Sequence, residues 1–174
     1  AFNDDWAVLL LRPEEREFLR RPERHAEFVG SPISFLMTGV GVASLLYAEA
    51  TVLEAVAAGV DQYVILGAGF DTFAMRHGEL LGVLRVFEVD HPTVQALKRE
   101  RLAAAPPVVL MPEFVPVDFE VEQLSDRLRA TGFDSCANTS SPPRPTCGGF
   151  TRHQAAPLFL CCTCSGHFGA QDDG

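Results

Sequence analysis

The residues able to do chemistry in this chain sit at three points: the turn Gly67-Ala68-Gly69-Phe70-Asp71-Thr72, the acids Glu88 and Asp90, and Asp118. Glycines at 67 and 69 let the backbone turn sharply and approach a ligand closely, because no Cβ stands in the way. Asp90 follows Gly67 by 23 positions, near the spacing at which an acid reaches ribose hydroxyls in α/β nucleotide-binding domains. A carboxylate suits a diol because it accepts a hydrogen bond from each hydroxyl. Asp118, at the end of the next apolar stretch, would lie on the same rim and can accept from an adenine amino group.

Two residues set this turn apart from the dinucleotide pattern G-x-G-x-x-G. Thr72 stands at the third glycine, and Asp71 stands where a phosphate would approach. A dinucleotide rests its pyrophosphate on a helix amino terminus, where free amides and the dipole favour negative charge. Asp71 would cap those amides and repel phosphate, which disfavours a nicotinamide-dependent oxidoreductase. The turn therefore suits a nucleoside without phosphate, such as S-adenosyl-L-methionine. The same residues would also make a tight strand-to-helix turn capped by Asp71, in a domain whose acids simply face water.

The surrounding pattern predicts the elements that would carry these groups. Residues 14–21 read as a short amphipathic helix stopped by Pro22. A helix over 43–58 places Leu46, Leu53 and Val56 on one face, and Gly59 closes it. Tyr63–Leu66 and Leu84–Val89 read as strands, and 91–104 as a helix with Val94, Leu97 and Leu102 inward. One or two strands follow over 108–110 and 114–117, then a helix over 120–130. Strands alternating with helices imply an α/β fold with a parallel sheet and right-handed crossovers. Ligands bind beyond the carboxyl ends of such strands, where all three groups fall.

Composition limits the partners. The chain has 174 residues, 47% hydrophobic and 21% charged, enough for one domain with a core. A net charge of −9 argues against nucleic acid or an anionic membrane as partner. Residues 29–48 are uncharged over twenty positions, a length that could span a bilayer. Pro32, three glycines and three serines dilute that stretch and favour a buried loop followed by a helix. No secretory signal pattern is visible, which points to the cytoplasm.

All five cysteines lie after residue 134. The last forty residues also hold four prolines and five glycines, and show neither helical nor strand periodicity. We expect 1–134 to be a partial cofactor-binding α/β domain and 135–174 an atypical, disordered or non-native tail. The spacing Cys161-Cys162-x-Cys164-x-x-His167 is not that of a zinc knuckle or ribbon, so no metal is expected.

LGAGFDTFAMR (66–76), FEVDHPTVQALKRERL (87–102) and FVPVDFE (114–120) resemble S-adenosylmethionine-dependent methyltransferases related to leucine carboxyl methyltransferase. The resemblance runs in order from about Ser31 to Asp134. It implies a class I, Rossmann-like methyltransferase fold, here incomplete at the carboxyl end, with an open apolar sheet edge and low solubility. By the same resemblance Gly67 and Gly69 belong to the cofactor loop, and Ala68 and Asp71 of the same turn are taken as cofactor-binding with them. Asp90 is the ribose acid, Asp118 with Phe119 lies on the adenine side, and Glu88 supports the strand end. The implied activity is O-methyl transfer to a carboxyl or hydroxyl acceptor, small molecule or protein, the alternative being a non-catalytic nucleoside-binding remnant. Two departures stand out: the family's arginine for the cofactor carboxylate is replaced by about Leu46, and the tail matches nothing in the family. No catalytic residue is nominated, because His25, His77 and His91 read as surface or capping residues.

Overall fold

The computed structural model describes residues 4–21, 23, 26, 30–105, 110–134 and 158–161, the last by backbone alone. Its elements are α1 (Asp5–Leu10), α2 (Pro13–Leu19), α3 (Pro32–Ala57), β1 (Gln62–Leu66), α4 (Phe73–Arg76) and a 3-10 turn at Gly78–Gly82. β2 (Arg85–Asp90), α5 (Pro92–Ala103), β3 (Glu113–Pro116), α6 (Leu124–Ala130) and β4 (Leu158–Cys161) complete the order. All described strand pairs are parallel, in the order β3-β2-β1-β4. Gln62 stands opposite Arg85, Phe87 opposite Glu113, and Leu66 opposite both Val89 and Cys161. This is the mixed α/β architecture expected from the alternation of strands and helices.

A parallel sheet needs both faces covered, which is why β1 and β2 are mostly apolar, β2 being interrupted by Arg85 and Glu88. One face carries Tyr63, Ile65 and Val86, packed with Leu10 of α1, Val52 of α3, Phe73 of α4 and Leu102 of α5. The other carries Val64, Phe87, Val89 and Val115, packed with Leu128 of α6 and Phe133. Phe87 and Phe133 meet edge-on at 5.4 Å. Behind α6 the chain is fastened to the start of β1. Asp134 N–H donates to Gln62 Oε1 at 2.9 Å, and Gln62 Nε2 donates to the Asp134 carbonyl at 3.2 Å.

Three sequence expectations change. First, α3 already starts at Pro32 and runs 26 residues. Proline is favoured at a first helical position, where its missing N–H costs nothing, so Pro32 begins the helix instead of breaking it. Nor is this segment buried. Only Glu49 and Val52 of α3 are buried, with Val56 packed against the core, while Leu46 and Leu53 are exposed. The helix is long and apolar enough to cross a membrane by length and composition, yet Glu49 lies in an ion pair with Arg76 of the α/β core. Second, the inward face of α5 is Gln95, Lys98 and Leu102, and Leu97 is exposed. Third, Leu158–Cys161 forms a strand where no periodic signal was visible. The remainder of 135–174, with the cysteine–histidine spacing, lies outside the described residues, as do His25 and the 106–109 segment.

Candidate functional site

The sheet order places β1 between β2 and β4, so the chain's crossovers diverge there. Ligands of open α/β sheets bind at that switch point, beyond the strand carboxyl ends. The Gly67–Asp71 turn leaves β1 at this place. Gly67 and Gly69 have φ of 64° and 48°, the left-handed region that a side chain makes costly. A Cβ on Gly69 would meet only the Gly67 carbonyl, at 3.9 Å, so backbone conformation, not crowding, calls for glycine there.

Hydrogen bonds from β2 and α5 hold the turn. Ala68 N–H donates to the Val89 carbonyl at 3.0 Å, and Asp71 N–H to the Ala68 carbonyl at 2.7 Å. Asp90, at the end of β2, accepts from Gly69 N–H through Oδ2 at 2.5 Å and from His91 N–H through Oδ1 at 2.6 Å. Asp71 Oδ1 accepts from Phe73 N–H at 2.7 Å, filling the amino end of α4. Burial pushes the Asp71 carboxyl above its usual range, opposed by that hydrogen bond and by Lys98 and Arg76. On the next strand end, Val117 N–H donates to the Asp90 carbonyl at 2.9 Å. Asp118 follows, its Oδ1 accepting from Glu120 N–H at 3.0 Å, and Phe119 is exposed beside it.

The structure thus brings Gly67, Ala68, Gly69, Asp71 and Asp90 into one hydrogen-bonded unit, with Asp118 and Phe119 on the adjoining strand end. These groups fit a nucleoside better than a nucleotide. The rim carries carboxylates, the helix terminus is already occupied by Asp71, and Phe119 offers an exposed aromatic face.

Arg76 does not take the part of a carboxylate clamp. Its guanidinium hydrogen-bonds Glu49 and Thr72 and lies 3.2 Å from Asp4. Burial works against its charge, but Glu49 and Asp4 more than offset that and hold its pKa above the ordinary value. Thr72 also donates to Asp4, so α1, α3 and α4 meet in one buried polar cluster. His77 lies 3.5 Å from Glu49 and 3.4 Å from Glu79, and His91 caps α5 by accepting from Thr93 N–H at 3.2 Å. Among the described residues no group of three or more His, Cys, Asp or Glu is placed to hold a metal ion.

Sequence reasoning missed Lys98. Its side chain and that of Glu88 are each 1% exposed and form an ion pair, and Lys98 Nζ also donates to the Asp71 carbonyl at 2.6 Å. Burial raises the Glu88 pKa to about 7, against the pull of Lys98. Gln95, Lys98 and Leu102 share an i, i+3, i+7 face with a single apolar residue, so apolar periodicity offered no signal for Lys98.

Parallel sheet, switch-point turn and acid-lined rim define a Rossmann-like domain of the methyltransferase kind. The family model described as leucine carboxyl methyltransferase matches residues 1–141, and the chain belongs to that family. A Bacillus subtilis (strain 168) protein named as an S-adenosyl-L-methionine-dependent methyltransferase, YktD, is 46% identical over 90 residues. That match covers 50% of this chain and 29% of the relative. Proteins with the same methyltransferase designation from Mycobacterium avium (strain 104) and Mycobacteroides abscessus are 33% and 40% identical. They match over 80% and 51% of this chain, and 47% and 28% of their own lengths. The chain thus spans less than half the length of these curated relatives.

Proposed function

We propose that this chain is the cofactor-binding part of an S-adenosyl-L-methionine-dependent O-methyltransferase. The carrying observation is the Asp90 carboxylate bonded to the Gly69 amide, which joins a ribose acceptor to a glycine turn whose helix end rejects phosphate. In this reading Asp90 accepts from the ribose hydroxyls, Asp118 from the adenine amino group, and Phe119 covers the base. The turn Gly67–Asp71 lets the nucleoside lie close to backbone. When bound, the cofactor supplies a methyl group on a sulfonium for in-line displacement, where holding donor and acceptor in contact gives most of the acceleration. A carboxylate acceptor is ionised at neutral pH and needs no base; a hydroxyl would need one within reach. The family likeness and acidic charge support a cytoplasmic location.

A second reading, a nucleoside-binding remnant without catalysis, has its own support. Arg76 and Lys98, the cations hydrogen-bonded to the turn, are both committed to carboxylates, and Arg101 lies 4.5 Å over the Phe70 ring and donates to the Leu10 carbonyl. Among the described residues a cofactor carboxylate would then find no uncommitted charge-assisted partner of the kind that strengthens such bonds about twofold. Calorimetric titration with S-adenosylhomocysteine, adenosine and a nicotinamide dinucleotide separates the cases. Binding of the first, tighter than adenosine, with none of the dinucleotide supports the methyltransferase reading. Equal affinity for the first two supports the remnant, and preference for the dinucleotide sinks both.

A further inference from the structure

The interior holds a charged pair to which the cofactor reading gives no task. Glu88 of β2 and Lys98 of α5 are buried together under the turn, on the sheet face of Val86. Taking two charges out of water is costly, and apolar residues of the same volume often serve stability as well or better. Packing alone therefore does not account for the pair.

Its geometry does. Lys98 Nζ bonds Glu88 Oε2, lies 5.9 Å over the Phe114 ring of β3, and donates to the Asp71 carbonyl at 2.6 Å. Asp71 is where the glycine turn becomes α4, and its amide and carboxylate are already bonded to Ala68 and Phe73. Lys98 fixes the remaining backbone group of that residue from a different element, 27 positions away. Gln95, one turn earlier on α5, donates to the Glu88 carbonyl at 2.6 Å and the Val115 carbonyl at 3.3 Å. Helix α5 is thereby locked in register against β2 and β3, and the ammonium is held at one height under the turn.

We propose that Lys98 and Glu88 are positioning residues for the glycine turn: Glu88 orients the ammonium, and Lys98 holds the Asp71 carbonyl so that the turn is preformed. The functional consequence rests on the nucleoside reading of the turn; the structural part does not. Preformed loops bind more tightly because less ordering is left to binding.

The test is amide hydrogen exchange and S-adenosylhomocysteine titration on the full chain, comparing wild type, Glu88→Gln and the double variant Glu88→Leu/Lys98→Met. The double variant removes both charges, so neither is stranded and the core keeps its volume. Glu88→Gln keeps an acceptor for Lys98 but removes the counter-charge, and so serves as the intermediate case. In the double variant we expect the Gly69 and Phe73 amides to exchange about tenfold faster, the scale of one lost charge-assisted bond. Amides of Val64 and Val89 stay unchanged, affinity falls by a similar factor, and turn exchange in Glu88→Gln lies between wild type and the double variant. Unchanged turn exchange in the double variant overturns the proposal. So does a loss of protection spread evenly over β1, β2 and the turn, the mark of a packing role. If turn exchange responds as expected but wild type binds no S-adenosylhomocysteine, the positioning role stands and the nucleoside reading falls.

Discussion

Replacing Asp90 with asparagine tests the site most directly, because it keeps the shape and changes only charge and one atom. In the structure the two carboxylate oxygens accept from Gly69 N–H at 2.5 Å and His91 N–H at 2.6 Å. Whichever way the amide is turned, its NH₂ faces one of those N–H groups, so one acceptor bond becomes a meeting of two donors. The ribose loses one of its two acceptors as well, together with the negative charge. A hydrogen bond to a charged group contributes about 1.5–3 kcal/mol, so S-adenosylhomocysteine should bind about 10- to 150-fold more weakly. Isothermal titration at fixed salt reads this change. A second ligand, adenosine lacking its 2′- and 3′-hydroxyls, separates the two causes. If Asp90 binds the ribose, the variant's penalty shrinks with that ligand; if Asp90 only braces the turn, the penalty is the same. An asparagine variant within twofold of wild type would refute the ribose assignment outright.

Three further outcomes follow from the structure. Glu88 has its pKa raised from 4.5 to about 7 by burial, so the folded chain holds this proton more tightly than the unfolded one. Its stabilising contribution is present below pH 4.5 and is lost as pH rises through about 7, by about 3 kcal/mol. Urea unfolding midpoints should show this slope in wild type and a flatter one in Glu88→Gln; parallel slopes would contradict it. Arg76→Leu strands Glu49 beside a removed partner, both side chains being 11% exposed, and should cost about 3–5 kcal/mol by the same assay. Gly69→Ala meets no close atom but forces a side chain to φ 48°, costing about 1–2 kcal/mol; a thermal midpoint equal to wild type would count against the strain.

Much of the core was legible in the sequence, for reasons particular elements make plain. Tyr63–Leu66 was visible as an unbroken apolar run between turn residues, and Leu84–Val89 as a largely apolar one interrupted by Arg85 and Glu88. The glycine turn and its acids were visible because φ above zero and helix capping need specific residue types. The inward face of α5 was misread because apolar periodicity cannot see a polar side chain that has its partners inside. Gln95 reaches two carbonyls and Lys98 a carboxylate and a carbonyl, partners supplied by β2, β3 and the turn. Arg76 was equally opaque, since Glu49 lies 27 residues earlier on another helix. The exposed apolar length of α3 defied the pattern from the other side. Its glycines each cost only about 1 kcal/mol in a helix, so composition overstated the break.

The clasp between Gln62 and Asp134 has a consequence for how the sheet closes. β1, β2 and β3 pair across separations of 23 to 26 residues, from Gln62↔Arg85 to Phe87↔Glu113. β4 meets β1 across 95, from Tyr63 to Leu158. Once Gln62 and Asp134 are joined, the chain left to close on that edge is only the 24 residues from 134 to 158. The entropy of closing a loop grows with the logarithm of its length, so the clasp lowers the closure cost by roughly 1 kcal/mol. Two hydrogen bonds at the foot of one strand thus shorten the search by which the fourth strand docks.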